Sequence, residues 1–211
     1  MTEYFEVHGR DGAARLGELR LADPVTTPAA VDDVTADAGS LWAADRELPD
    51  GADDRLTVLP HRAFPPGTRE PVRESFRVDH PEIDAPTAAV ISSEEARDVG
   101  ADAYLLSDAN GFVGHASAFK DAIVRTREAI PADTALYLSG VATPRNVATL
   151  VYAGVDLVDA KRAKVRGAEG FYLTSEGERF LEDLRELPCS CSACQQPIDE
   201  FGRRDCAEHN A

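Results

Sequence analysis

Five residues near the end of this sequence have the types and spacing of a metal site: Cys189-x-Cys191-x-x-Cys194, followed by Cys206 and His209. Thiolates and imidazole suit the tetrahedral, borderline-soft preference of Zn²⁺, and short loops between ligands lower the entropy cost of gathering them. Five candidates compete for four places. The three clustered cysteines fill three, and the fourth is either His209 or Cys206. Four protein ligands leave no open coordination position, so the expected role is structural rather than that of a Lewis acid. A disulfide framework would be spread over the fold it staples, whereas these four cysteines all lie in the last 23 residues.

A second group lies upstream. Lys161, Arg162, Lys164 and Arg166 put four cations into six residues of an otherwise acidic chain. Such a run is either a solvated face or a place where a nucleic-acid backbone is met. No aromatic residue interleaves it to suggest base stacking. Directly before it stands Asp159, a carboxylate at the end of an apolar run. Nucleophilic use of Asp159 would require exposure and an acid/base partner, and only its place at a strand end speaks for it. His8, His61, His80 and His115 have no partners at ligand or triad spacing and read as ordinary side chains.

The elements that must position these groups are readable in part. Residues 4–8 alternate, Asp11-Gly12 supply a turn, and a return strand to Leu21 completes a hairpin with Leu19 and Leu21 on one face and Leu16 on the other. Between residues 24 and 86 nine prolines interrupt any long element, leaving a short helix over 40–46 and a short strand over 56–59. Beyond Pro86 the pattern becomes regular. Strands are expected over 88–91, 103–106, 134–138 and 155–158, and helices over 116–130 and from Thr143 to Gly154. Ser92-x-x-Glu95 reads as a capping box opening a helix that stops at Gly100. Residues 170–174 read as one more strand, and Ser175-x-x-Glu178 opens an amphipathic helix carrying Phe180, Leu181, Leu184 and Leu187. Alternating strands and helices imply right-handed crossovers and a parallel sheet, whose chemistry collects at strand ends: Ser107-Asp108, Ser139-Gly140 and Asp159.

Composition bounds the setting. At 211 residues the chain buries a core without disulfide help. With 22 basic against 38 acidic residues it carries a net charge of -16, yet 43% apolar content excludes a disordered acidic tail. Only Lys120, Lys161 and Lys164 are lysines. Acidic excess with lysine depletion is expected of a halophilic chain working in molar salt, where screening makes high net charge tolerable. No run of 18 apolar residues is present and no basic leader follows Met1, so a cytoplasmic location without membrane contact is expected.

These segments together resemble a known family. Gly154-Val155-Asp156-Leu157-Val158-Asp159, Tyr172-Leu173-Thr174, Gly177, residues 181–184 and Pro188-Cys189-x-Cys191-x-x-Cys194 resemble the C-terminal part of the tRNA-guanine transglycosylase barrel and its zinc subdomain. Phe5-Glu6-Val7, Arg10-Asp11-Gly12-Ala13-Ala14-Arg15 and Thr26-Thr27-Pro28-Ala29 resemble the first hairpin of its archaeal members. The likeness covers residues 1–30 and 134–209. It implies an α/β fold, a shortened or degenerate TIM-barrel-like domain over 1–187 with a small zinc-binding subdomain over 188–211. It also implies His209 as fourth ligand to Zn²⁺ and Asp159 in the place of the aspartate that attacks the ribose during base exchange.

The family's Asp-Ser-Gly-Gly-Phe-Gln segment is absent. The nearest run, Ser107-Asp108-Ala109-Asn110-Gly111-Phe112, has a different context. The chain is also shorter than a full transglycosylase barrel. It more closely resembles the archaeosine synthase branch, paralogues with a transglycosylase-like N-terminal domain. That resemblance implies tRNA modification in archaeosine biosynthesis, on tRNA carrying preQ0 at position 15, with Lys161, Arg162, Lys164 and Arg166 meeting RNA. The lysine-transfer motif of that branch does not occur in these residues, so the chain is expected to be the N-terminal portion of a longer protein. An autonomous base-exchange enzyme using Asp159, and a non-catalytic zinc-containing scaffold for RNA or protein, are the alternatives. A second copy of the chain and other archaeosine-pathway proteins are further candidate partners.

Overall fold

The computed structural model describes residues 3–36, 48, 51–52, 54–62, 64, 67–77, 80 and 82–211; the short helix expected over 40–46 lies outside them. The chain opens with the expected antiparallel hairpin, β1 (Phe5–Asp11) and β2 (Ala14–Leu19), which turns at Gly12 with φ +62°. A third strand, β3 (Val25–Thr27), joins β2. Only three residues long and set between Pro24 and Pro28, it gives no alternating pattern to read.

The main sheet is wholly parallel. It comprises β4 (Ala29–Ala30), β5 (Thr35–Ala36), β6 (Leu56–Val58), β7 (Thr87–Ile91), β8 (Ala103–Leu106), β9 (Ala135–Leu138) and β10 (Leu157–Val158), in the order β4-β10-β9-β8-β7-β6-β5. Its two edge strands, β4 and β5, are neighbours in sequence. Laid flat, seven strands would separate those edges by about 29 Å at ~4.8 Å per strand. Five residue steps from Ala30 to Thr35 reach at most about 18 Å. The sheet therefore curls until segment 29–36 serves both edges: the Val31 N–H donates to Val158 O at 2.7 Å, and the Val34 carbonyl accepts from Leu56 N–H at 2.8 Å. The result is a curled parallel half-barrel; the regular second half of the sequence predicts its parallel strands, whereas the curling is not readable there.

The strands β7 to β10 bury both faces, which is why these segments are continuous apolar runs. On β9, Leu136 and Leu138 pack outward with Ile123 and Ile130 of the α2 (Ala116–Ala129) region and Leu150 of α3 (Val147–Tyr152). Ala135 and Tyr137 face the other way, onto Phe5, Leu19 and Leu21 of the hairpin region. Small residues at Ala88, Ala103 and Ala135 leave room for those larger side chains.

Two expected helices do not form. After β7, the backbone N–H and hydroxyl of Ser93 donate to Asp108 at 3.1 and 2.6 Å, while Glu95 pairs with Arg73, next to the short helix α1 (Glu70–Ser75) residues it belongs with. The Glu95 end of the capping box is thereby taken by Arg73, Ser93 beside Ser92 is tied to Asp108, and only a turn remains, closed by Glu95 N–H on Ser92 O. After β11 (Phe171–Leu173) the chain turns at Gly177, φ +158°, into β12 (Glu178–Phe180), which pairs antiparallel with β11 instead of starting a helix. Phe180 stacks on Phe171 with ring centres 4.6 Å apart, a cross-strand pair that outweighs a short amphipathic helix.

A buried charge network fastens the hairpin to the N-terminal ends of the barrel strands. Arg15 of β2 donates to Asp156 through Nε at 3.0 Å and through Nη2, and also to the carbonyls of Ala132 and Thr134 at 2.7 and 2.9 Å. Asp156 accepts the Leu136 N–H at 2.7 Å, and Arg127 stands 3.7 Å away. Burial, with the Arg15 charge beside it, lowers the Arg127 guanidinium to about 10. Removing one member of such a pair strands the other charge in the interior. Asp156→Asn and Arg15→Met are each expected to lower unfolding free energy by about 3–5 kcal/mol, with the double variant losing less than the two together. Urea titrations in high KCl measure this, and losses below about 1 kcal/mol would contradict it.

Candidate functional site

Two groups of side chains are brought together at one end of the barrel, joined by one helix. The first surrounds Asp159, where β10 ends. Its carboxylate is only 1% exposed, although it lies at the strand end where exposure was required for attack on a substrate. Oδ2 accepts from Tyr137 Oη at 2.9 Å and Ser139 Oγ at 2.6 Å, and Lys161 Nζ lies 3.3 Å away. Oδ1 accepts the N–H groups of Gly140 at 2.8 Å and Lys161 at 3.1 Å. Burial alone would raise this carboxyl, but the hydrogen bonds from Ser139, Gly140, Tyr137 and Lys161 outweigh it and hold the group below the usual carboxylate range. The same burial, with the Asp159 charge, pushes the Tyr137 phenol upward.

Helix α4 (Lys161–Ala168) begins there and carries the basic run. Lys161 is 61% exposed and its Nζ also reaches Ser139 Oγ at 3.3 Å. Lys164 pairs with Asp32. Arg166 is held by Glu169 at 2.6 Å and by both carboxylate oxygens of Glu178 at 2.7 and 3.1 Å. Arg162 has no ion-pair partner among the described residues. Two of the four cations are thus matched by exposed carboxylates, and Lys161 and Arg162 are left to face a hollow of about 330 Å³ bounded by Gly140, Val165 and Arg166.

The second group is the cysteine cluster. Cys189, Cys191, Cys194 and His209 place their ligand atoms within 4.8 Å of one another. A tetrahedral ion with thiolate bonds of about 2.3 Å spaces its ligand atoms about 3.5–3.8 Å apart, and Cys191 Sγ and Cys194 Sγ each lie 3.4 Å from His209 Nδ1. His209 Nε2 is 3.1 Å from the Leu173 carbonyl, which can only accept, so Nε2 carries the proton and Nδ1 presents its lone pair to the thiols. The Tyr172 ring stacks on the imidazole at 3.9 Å and fixes its plane. Three thiols and an oriented imidazole form a donor set that could hold a metal ion. Cys206 lies outside it, fully buried with Sγ against the Phe171 carbonyl at 3.3 Å, and burial pushes its thiol up to about 11.

His209 belongs to α5 (Arg203–Asn210), which lies on α4 at backbone contact. A Cβ at Gly167 would come within 2.4 Å of Ala207 Cα, so no side chain fits there. Next to His209, Asn210 donates to Ala163 O at 3.1 Å and Phe171 O at 2.8 Å, and accepts Leu173 N–H at 2.9 Å. Gly167, Asn210, Tyr137 and Tyr172 were not visible as site residues in the sequence. A glycine inside a charged helical run was the one available sign of close approach.

Residues 86–201, more than half of the chain, match the family described as queuine tRNA-ribosyltransferase. The chain belongs to that family. Archaeosine synthase of Haloferax volcanii is 70% identical over 211 residues, which is all of this chain and 36% of that protein. Archaeosine synthase subunit alpha of Methanosarcina acetivorans is 34% identical over 222 residues, covering 92% of this chain and 35% of that protein. A tRNA-guanine(15) transglycosylase of Haloferax volcanii is 34% identical over 76 residues, 36% of this chain and 15% of its own. The chain thus spans about a third of the length of the two archaeosine synthases. The acidic, lysine-poor composition accords with a relative from Haloferax. Among the described residues no helix is long and apolar enough to cross a membrane.

If the cysteine cluster holds a metal, chelation or Cys191→Ala should remove it and lower the melting midpoint, whereas Cys206→Ala should retain the full metal content. Elemental analysis with thermal unfolding checks this, and loss of metal from the Cys206 variant would move the site. Asp159 gives a second expectation. With its folded pKa depressed, its contribution to stability is present above the unfolded value of about 3.9 and is lost as pH falls through the folded one. Asp159→Asn should therefore lower the melting midpoint at pH 7, with the gap to the parent protein narrowing toward pH 3. An equal gap at both pH values would contradict the assignment.

Proposed function

We propose that this chain is the transglycosylase-like part of an archaeosine synthase, a tRNA-modifying enzyme of the cytoplasm, and that it positions tRNA carrying preQ0 at position 15. The observation that carries this reading is the 70% identity extending across all 211 residues to a protein that is itself an archaeosine synthase. Lys161 and Arg162, the two cations of α4 without a surface carboxylate to match them, meet RNA phosphates at the barrel mouth. Lys164 and Arg166, matched by Asp32 and by Glu169 and Glu178, brace that helix at the edge of the RNA surface.

Asp159 is given a positioning task. With both oxygens taken by donors, its carboxylate pins the Ser139-Gly140 loop to the start of α4, and the base at position 15 is met by a fixed rim. The Cys189, Cys191, Cys194 and His209 site holds Zn²⁺ in this reading, in keeping with its thiolate and imidazole donors. When bound, the ion supplies a structural cross-link with no open position. It secures α5, which in turn holds α4 through Gly167 and Asn210.

The test is binding of the zinc-loaded chain to archaeal tRNA with guanine or preQ0 at position 15, in about 2 M KCl to screen self-repulsion, with release of the base scored in the same samples. Binding without release is expected. Base release abolished by Asp159→Asn would instead make the chain an exchange enzyme, and failure to bind either tRNA would make it a scaffold. Lys161→Glu and Arg162→Glu should each weaken binding about tenfold near 0.5 M KCl and reduce the salt slope by about one. Unchanged slopes would place the RNA elsewhere.

A further inference from the structure

The basic run contains no aromatic residue, but the fold supplies one. In the β11–β12 register Phe171 pairs with Phe180 and Tyr172 with Arg179. Successive residues of a strand point to opposite faces. Tyr172 and Arg179 line the groove that holds Cys189 and His209, while Phe171 and Phe180 turn toward α4. There the Arg166 guanidinium lies 3.4 Å from the Phe171 ring centre, and Phe171 in turn touches Phe180. Arg166 is clamped by Glu169 and by both oxygens of Glu178, the residue two before Phe180 on β12. Guanidinium, inner ring and outer ring are therefore held in contact, the two rings tilted by 39°, and the outer member, Phe180, remains 56% exposed. Val165, also 56% exposed, and Arg166 itself line the hollow bounded by Lys161 and Arg162.

We propose that Phe180 is a stacking platform for an unpaired base of the bound RNA, with Arg162 and Lys161 meeting the backbone beside it. The proposal rests on the tRNA reading above and adds a contact that the basic run alone lacks. An exposed aromatic ring, linked through Phe171 to Arg166 at the edge of a hollow that Lys161 and Arg162 also line, is a combination that single-stranded nucleic acid recognises. Arg166 pairs with both Glu169 and Glu178 and offsets one of their two charges, and molar salt screens the one that remains. Salt favours the same occupant. At 1 M ionic strength the screening length is about 3 Å and little affinity remains from counterion release, so a chain of net charge -16 working in such salt needs a contact that ions do not screen. Base stacking is such a contact.

The experiment compares the 211-residue chain with Phe180→Ala, Phe180→Leu and Phe180→Trp, measuring affinity for an unmodified archaeal tRNA transcript at about 0.5 and 2 M KCl. Metal content and melting midpoint establish that each variant is folded. Phe180→Ala and Phe180→Leu should both weaken binding, by about 5- to 100-fold at either salt concentration, while Phe180→Trp restores it. In a Trp42→Phe background the introduced indole should lose fluorescence on adding tRNA. Arg162→Glu should differ in kind, its effect shrinking as salt rises. If Phe180→Leu binds like the parent while Arg162→Glu is weakened, the platform is wrong and the tRNA reading stands. If the parent chain does not bind tRNA, both fall. If Phe180→Ala leaves RNA affinity intact but shifts the sedimentation coefficient to that of a smaller species, the ring belongs to a contact between copies and the proposal is overturned.

Discussion

A buried carboxylate on either side of a two-residue strand constrains the whole molecule. Asp156 precedes β10 and gathers Arg15 from the hairpin together with the Leu136 N–H, while Asp159 follows β10 and gathers the Ser139-Gly140 loop and the start of α4. Three residues apart on extended backbone, the two point to opposite sides of the sheet and lie near its opposite ends. The lower one secures the hairpin whose Phe5, Leu19 and Leu21 fill the face away from the helices. The upper one fixes the rim where chemistry collects in parallel α/β folds. A strand with two ladder positions has little hydrogen bonding of its own, so charge-assisted contacts to its flanks are what set its depth and register.

From that rim, position is passed to the cysteine cluster along a single helix. The first residue of α4 donates its N–H to Asp159, and its seventh, Gly167, lets α5 approach to backbone contact. Asn210 then links α4 and β11 through three hydrogen bonds, and its neighbour His209 orients toward the thiols through the Leu173 carbonyl. A metal bound there would act at a distance on the rim by limiting how far α5, and so α4, can shift. This is positional coupling through packed backbone, and it requires no second conformation.

The strands beyond Pro86 and the cysteine cluster were legible in the sequence because each depends on local pattern. A parallel strand buried on both faces must be an apolar run, and ligands to one ion must be close or loop back. Closure of the sheet was hidden, since β4, β5 and β6 contribute two or three residues each among prolines, and their pairing is set by the distance that segment 29–36 can span. The helices opened by Ser92 and Ser175 failed for a different reason. Their residues found better partners elsewhere: in the first case Glu95 pairs with Arg73 and Ser93, beside Ser92, with Asp108, and in the second Glu178 was drawn to Arg166 and Phe180 to Phe171. Capping signals describe what a segment does alone, and tertiary partners decide whether it is left alone.

The choice between His209 and Cys206 shows the same limit in the metal site. By chemistry both are ligands, and spacing admits both. Cys206 and His209 are three apart on α5, so both fall on one side of the helix, and small differences in depth decide their fates. Cys206 sits one turn nearer Gly167, at the level where the α5 backbone meets α4, and its thiol is turned onto the Phe171 carbonyl of β11. His209, a turn further on, clears the helix crossing and reaches the thiols with a longer side chain. The ligand set is therefore fixed by where two helices touch. Because that point is a glycine in α4, the identity of the fourth ligand is determined more than forty residues before it appears in the chain.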